Sequence, residues 1–260
     1  MKWKSIFFVA LFLSSCTTGA KLEKVRHPKL LLTFDDFPGQ LEGNPNIQRD
    51  INEKIIEILK QHDAKAMVFA NTGRIMNDIT KGKATLRLWL RNGHKVGNHT
   101  YTHPVLSNVS PFEYKLDIIN GEPILKDVLY EFDQKLTYFR YPYLDYGKGE
   151  VKDDIASFLE LRGYEVIGIT VDSMDWRYNS KMYKGDLKAR RNYIEYAKAQ
   201  LDKTFGNNKK DIMLFHVNSI NTMCLDEILT YAKSIGYSFS TSPGEGSKSH
   251  LQSTKKVGLS

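Results

Sequence analysis

Short apolar runs alternate with segments of helical period from residue 29 to residue 239 of this 260-residue chain. Residues 29–34 (KLLLTF) form an unbroken apolar run that ends in two adjacent aspartates, and such a run reads as a strand buried on both faces. Residues 46–61 then set Ile47, Ile51, Ile55, Ile58 and Leu59 at helix spacing. The alternation continues with a strand at 66–70, a helix at 84–91 stopped by Asn92-Gly93 and a strand at 95–98. A longer helix is predicted at 111–131, opened by Ser110 and Pro111, followed by a strand at 136–141 and a helix at 151–161. Strands at 165–171, 211–217 and 237–239 and helices at 186–205 and 225–234 complete the pattern. Alternation of this kind implies parallel βαβ units. About seven strands without a midpoint linker predict an α/β fold closed as one distorted (β/α) barrel, with an open doubly wound sheet as the alternative. One domain is expected over 29–241, followed by a flexible Gly-, Ser- and Lys-rich tail at 242–260.

The N-terminus reads as an address. Lys2 and Lys4 precede an apolar run at 6–13 and then Leu13-Ser14-Ser15-Cys16, the layout of a secretory signal. Its ending resembles a bacterial lipobox. That predicts a signal peptide at 1–15, lipidation of Cys16 and a tether at 16–28. The mature domain would then be an exported lipoprotein, anchored to a membrane and facing the periplasm or the cell exterior. Ordinary cleavage near Thr18 or Ala20 is the alternative. The formal charge of +7 shows no clustered basic run with interleaved aromatics, which argues against a nucleic-acid partner. No feature points to a protein partner. Two cysteines exclude a disulfide scaffold and a Cys-rich zinc fold, and Cys224 is expected as a small buried hydrophobe.

In parallel barrels the chemistry collects where strands end. Asp35 and Asp36 follow the first strand, and two carboxylates there are costly unless a cation or a proton is involved. His99 and His103, four apart in GNHTYTHP, are expected on one face of a helical turn, where with a carboxylate they can bind one metal. Arg140 in FRYPY can hold a carboxylate through two hydrogen bonds. Asp175 and Trp176 in DSMDW put a polar group beside an apolar wall, and His216 ends the run MLF. Each feature alone also fits a turn, a cap or a satisfied core residue. His27, His62, His94 and His250 are read as structural.

Taken in order, TFDD, HTYTH, RYPY, DSMDW and LFH resemble the five motifs of the polysaccharide deacetylases, carbohydrate esterase family four, also called the NodB-homology domain. The resemblance implies metal-dependent hydrolysis of N- or O-acetyl groups on a sugar polymer. Carried over by position, Asp36, His99 and His103 match the metal ligands, for Zn2+ or another divalent transition metal such as Co2+. Asp35 matches the general base, Arg140 its tether, and the Tyr143 N–H an oxyanion donor. His216 matches the general acid and Asp175 its carboxylate partner. Pro142, Trp176 and Leu214 match the acetyl pocket. On this reading Asp35 has a lowered pKa and His216 a raised one. An envelope-anchored enzyme of this kind would meet an N-acetylglucosamine polymer first.

The departures bear on substrate. Phe37 stands where the family has Gly and is expected to narrow the approach, while the basic, Tyr-rich stretch at 177–210 is a candidate cleft wall. Three other classes stay open, the last a non-haem iron oxygenase with the same ligand types, whose sites sit on antiparallel β folds with a different ligand order. A same-fold amidohydrolase on a small cyclic amide would typically lose the metal triad, and an envelope sugar-binding lipoprotein would need neither Asp35 nor His216.

Overall fold

The computed structural model describes residues 28–208 and 210–242. The predicted signal peptide, Cys16, nearly all of the tether, His27, His250 and the tail beyond residue 242 lie outside the described residues.

Among the described residues, eight strands form one sheet with every pairing parallel. They are β1 (Lys29–Phe37), β2 (Ala66–Ala70), β3 (Lys95–Asn98), β4 (Tyr138–Phe139), β5 (Glu165–Val166), β6 (Val171–Asp172), β7 (Lys210–His216) and β8 (Ser238–Phe239). The order is β5-β4-β3-β2-β1-β7-β6, with β8 beside the start of β1. The expected distorted barrel of seven parallel strands is therefore what forms, with β8 as an addition.

The predicted strand at 165–171 is instead two short strands at opposite ends of that order. The intervening residues cross the gap: Ile167 N–H reaches Phe139 O at 2.9 Å and Thr170 N–H reaches Ile212 O at 2.9 Å. A single segment thus closes the ring, and it cannot stay one straight strand while pairing with two neighbours that diverge.

The period of two along β1 sorts its side chains. Leu30, Leu32 and Phe34 join the large core under the helices, while Leu31 joins Met67, Phe69, Ile167 and Ile212 inside the barrel. Continuing up the inner face, Leu31 is followed by Thr33 and then Asp35. The pleat therefore carries a carboxylate to the barrel mouth. Phe37, expected to narrow the cleft, is fully buried in the large core. The bulge between Phe34 and Phe37 in the β1–β2 register sends it there.

The helices are α1 (Pro45–Gln61), α2 (Thr72–Ile75), α3 (Ile79–Arg91), α4 (Pro111–Asn120), α5 (Glu122–Tyr130), α6 (Gly149–Leu161), α7 (Asp175–Tyr183), α8 (Ala189–Thr204) and α9 (Asn221–Ser234). Local chemistry starts several of them: Asn44 caps α1, Asp78 caps α3, and Ser110 with Glu113 forms a capping box on α4. The predicted helix at 111–131 breaks at Gly121. A Cβ there would lie 2.7 Å from Asn98 Oδ1, so only glycine lets the chain approach β3 so closely. Pro123, near the start of α5, lacks the N–H to continue α4. Of the 177–210 stretch, α8 packs into the large core through Tyr193, Ala197 and Leu201, so most of it is body rather than cleft wall. Cys224 is buried and free, as expected.

Candidate active site

Six of the eight described non-glycine residues with positive φ sit at the mouth of the barrel: Asp36, Thr100, His103, Tyr143, Leu144 and Met174. Such conformations cost free energy and persist only where the surroundings impose them. Here they turn chain ends inward around a cleft of about 370 Å³ lined by Asp35, Asp36, His99, His103, Tyr143, Trp176, Leu214 and His216.

Asp35 continues the inner face of β1 and is buried. Its Oδ1 accepts from Arg140 Nη1 at 2.9 Å, and the same nitrogen donates to Thr33 Oγ1 at 2.8 Å. Arg140 itself is fully buried. Its Nε donates to Ile167 O at 3.0 Å and Nη2 to Gly168 O at 3.1 Å, and its guanidinium lies 4.5 Å from the centre of the Phe69 ring. It therefore satisfies carbonyls at the seam that closes the barrel as well as holding Asp35. The expected two-bond grip on the carboxylate is a single bond, because the other nitrogens are committed to the seam. The expected lowered pKa of Asp35 is also reversed among the protein's own groups: burial pushes it up and outweighs the Arg140 guanidinium.

Asp36 turns to the same mouth through its φ of 63°. Its Oδ1 lies 3.3 Å from His103 Nε2 and 4.0 Å from His99 Nε2. Asp36 Oδ1 and His99 Nε2 are buried without a hydrogen-bond partner. Burial lowers the pKa of both histidines, and neutral imidazoles are the ligating form. One ligand atom from each of the three residues lies within 4.8 Å of the others. Two nitrogens and one carboxylate oxygen, two of them otherwise orphaned, fit a metal ion.

The two histidines are not on a helical turn as expected. Residues 99–103 form a loop with φ of 68° at Thr100 and 64° at His103. Asp117 on α4 holds that loop by accepting from the N–H of Tyr101 at 2.8 Å and of Thr102 at 2.9 Å. The His99 ring is oriented by a 2.8 Å bond between its Nδ1 and Arg140 O. That leaves Nε2 toward Asp36 and couples the two sets of residues.

Across the cleft Asp175 opens α7 and is fully buried. It accepts from His216 Nδ1 at 2.7 Å, the His216 N–H at 2.7 Å, the Trp176 N–H at 2.8 Å, Asn218 Nδ2 at 2.8 Å and Asn221 Nδ2 at 2.6 Å. Burial alone would raise the pKa of Asp175, yet His216 and these donors hold it below its ordinary value. Burial likewise opposes the charged form of His216, but Asp175 prevails and holds its pKa up to about 9. With Nδ1–H given to Asp175, Nε2 is left for the cleft.

Leu214 lies two residues before His216 on the same face of β7, and Trp176 stands at the rim, 44% exposed. Tyr143 is 65% exposed, with its ring 4.5 Å from that of His103. Its turn is braced by Asp145, which accepts from Ser107 and from the Gly147 N–H. Pro142 is buried at the start of that turn and does not line the cleft. Gln40, Leu144 and Asp172 do line it, and their sequence positions carry no period or spacing signal that singles them out. His94 is buried, accepts from the Ala66 N–H at 3.1 Å and sits away from the cleft, and His62 pairs with Asp226 at 2.8 Å; both are structural, as read.

A family model described as polysaccharide deacetylase matches residues 23–167. A peptidoglycan-N-acetylglucosamine deacetylase of Bacillus cereus is 32% identical over 57% of this chain, which spans 46% of that relative. Among solved structures, the chitin deacetylase of Colletotrichum lindemuthianum matches with a TM-score of 0.62 at 25% identity, over 83% of this chain and 86% of that one. A CE4 family pseudoenzyme from Bacillus anthracis matches with a TM-score of 0.60 at 22% identity, over 82% of this chain and 63% of that one. The matched span carries Asp35, Asp36, His99, His103 and Arg140. With the barrel that presents them at one mouth, it makes this chain a member of the polysaccharide deacetylase family.

Proposed function

We propose that this protein is a zinc-dependent deacetylase of an N-acetylglucosamine-containing polysaccharide of the cell envelope. The observation that carries the reading is the opposition, across one cleft, of Asp35 beside a three-ligand metal set and of His216 charged by Asp175. Amide hydrolysis needs a base for water, an oxyanion site and a proton for a poor leaving group. Asp36, His99 and His103 would hold a divalent metal, which polarises an acetyl carbonyl, acidifies water and adds the positive charge that favours ionised Asp35. Asp35 takes the proton from the attacking water, with Arg140 fixing its orientation. The Tyr143 N–H donates to the developing oxyanion. His216 Nε2–H protonates the departing nitrogen, so that acetate and a free amine leave. Trp176 and Leu214 flank the acetyl methyl group, and Pro142 sets the turn that carries Tyr143.

The test is acetate release by the purified protein, stripped with chelator and reloaded with Zn2+ or Co2+. Peptidoglycan, N-acetylglucosamine oligomers and acetylated xylan serve as substrates. Release from the first two that appears only after reloading is expected. No release from any polymer by the reloaded protein would overturn the reading, and release from xylan alone would move the substrate to acetyl esters.

Membrane anchoring through lipidated Cys16 is part of the same proposal, supported by the charged head and short apolar run before it. Cys16→Ser is expected to move the protein from the membrane to the soluble fraction. Retention at the membrane would reject the anchor.

The acid pair gives a pH prediction. His216 has a raised pKa, so its contribution to activity and to stability is present below the unfolded value of 6.5 and is lost as pH rises through about 9. Asp175→Asn removes the charge that offsets burial. The basic limb of kcat should then move down by roughly two pH units. A limb that stays in place would show that another group supplies the proton.

A further inference from the structure

One side chain in the cleft is pre-set for binding and has no role in the chemistry above. Gln40 lies in the segment between β1 and α1, half-buried, and lines the cleft with His216 and Trp176. Its backbone is fixed on three sides: Gln40 N–H donates to Val217 O at 2.9 Å, and Arg74 Nη1 donates to Gly39 O and Gln40 O, both at 3.0 Å. Two residues on, Glu42 accepts from Tyr183 of α7 and from Ser219, which ties the segment to the opposite rim. The side chain is held as well. Asn218 Nδ2 donates both to Asp175 Oδ2 at 2.8 Å and to Gln40 Oε1 at 3.3 Å.

The assignment of these amides follows from the carboxylate. Asp175 can only accept, so the Asn218 atom facing it is the nitrogen, and the Gln40 atom facing that nitrogen is the oxygen. The Gln40 NH2 is then left over, with no partner among the described residues, on a side chain that borders the cleft. A donor held by a rigid segment in a cleft, with its own acceptor already satisfied, is organised in advance for an acceptor on a ligand.

Resting on the deacetylase reading, we propose that Gln40 is a specificity-determining residue whose NH2 donates to a hydroxyl or glycosidic oxygen of the sugar on the leaving-group side, beside His216. It reads the sugar without taking part in proton transfer. A small acetyl ester that lacks the sugar gains nothing from it.

The test compares zinc-loaded parent, Gln40→Met and Gln40→Glu. The glutamate keeps the oxygen that Asn218 needs and loses the donor; the methionine loses both. Both variants are expected to raise KM for the N-acetylglucosamine tetramer about threefold to tenfold with little change in kcat. kcat/KM on p-nitrophenyl acetate should fall less than on the tetramer. Calorimetric binding of the tetramer to the same variants in an Asp35→Asn background should weaken by the same factor, which tests the contact without turnover. Unchanged KM and affinity would overturn the proposal while leaving the deacetylase reading intact. So would a loss of kcat and a shifted basic limb in Gln40→Met that Gln40→Glu restores, since that pattern belongs to a brace on Asn218 and Asp175. Inactivity of the zinc-loaded parent would overturn the deacetylase reading, and the binding arm would still decide the contact. Absence of tetramer binding by the parent would overturn the Gln40 proposal, while the deacetylase reading is decided by acetate release from the polymers.

Discussion

Asp35→Asn is expected to lower the rate of acetate release by about a hundredfold to ten-thousandfold while leaving metal content and fold close to those of the parent. The substitution keeps an oxygen for Arg140 Nη1, so the 2.9 Å contact that anchors this side chain survives. What it removes is the lone pair that accepts a proton from water. Asp36, His99 and His103 are untouched, so bound zinc measured by elemental analysis should stay near one per chain. Asp36→Asn makes the contrast. It weakens one of three ligands in a set whose atoms lie within 4.8 Å of one another, and zinc itself should be lost along with activity. A zinc-replete Asp35→Asn protein that still releases acetate at more than about a tenth of the parent rate would remove Asp35 from the role of base.

Arg140→Met should produce the largest loss of stability from a single substitution at the site, about 3–5 kcal/mol. Arg140 is fully buried and spends its donors on Thr33, Asp35, Ile167 and Gly168. Methionine fills much of the same volume against Phe69 but satisfies none of those acceptors. The carbonyls at the seam lose their partner, and buried Asp35 loses the cation hydrogen-bonded to it. Desolvation already raises the pKa of Asp35 against the pull of Arg140. Without that pull the carboxyl should take up a proton, so activity should fall with stability. Urea denaturation reads the first effect directly, and in thermal melts the midpoint should drop by roughly 10 °C. The double variant Asp35→Asn/Arg140→Met should lose less than the two single losses added, because each removes the same ion pair. A loss under about 1 kcal/mol for Arg140→Met would show that water or a shifted backbone replaces the guanidinium at the seam.

Much of the site was legible before any coordinates because strand ends carry a distinctive mark. An apolar run such as KLLLTF has no reason to end in two carboxylates unless something at the barrel mouth uses them, and period two assigns Leu31, Thr33 and Asp35 to one face. The βαβ alternation carried the architecture for the same reason, since buried parallel strands are continuous in hydropathy and their helices are not. Cys224, His62 and His94 read correctly as structural because none of them lines the cleft: Cys224 is buried and free, His62 pairs with Asp226, and His94 accepts from the Ala66 N–H.

What sequence patterns could not carry is any feature that rests on contacts distant in the chain. The segment at 165–171 looks like one β-branched strand, and only ring closure splits it between β4 and β7. The junction of α4 and α5 needs glycine at 121 because Asn98 lies against it, across more than twenty residues of chain. Phe37 looks like an obstruction in the cleft until the bulge in β1 turns it into the core. His99 and His103 have helical spacing but converge through two left-handed residues on a loop held by Asp117, so the spacing named the wrong local geometry for a pair that meets beside Asp36. Gln40, Asn218 and the sign of the Asp35 shift were invisible for the same reason. Local sequence determines which residues are apolar, which can cap and which can titrate. The low dielectric around a buried carboxylate, the partner of each amide and the direction each side chain faces exist only once residues far apart in the chain have been brought together.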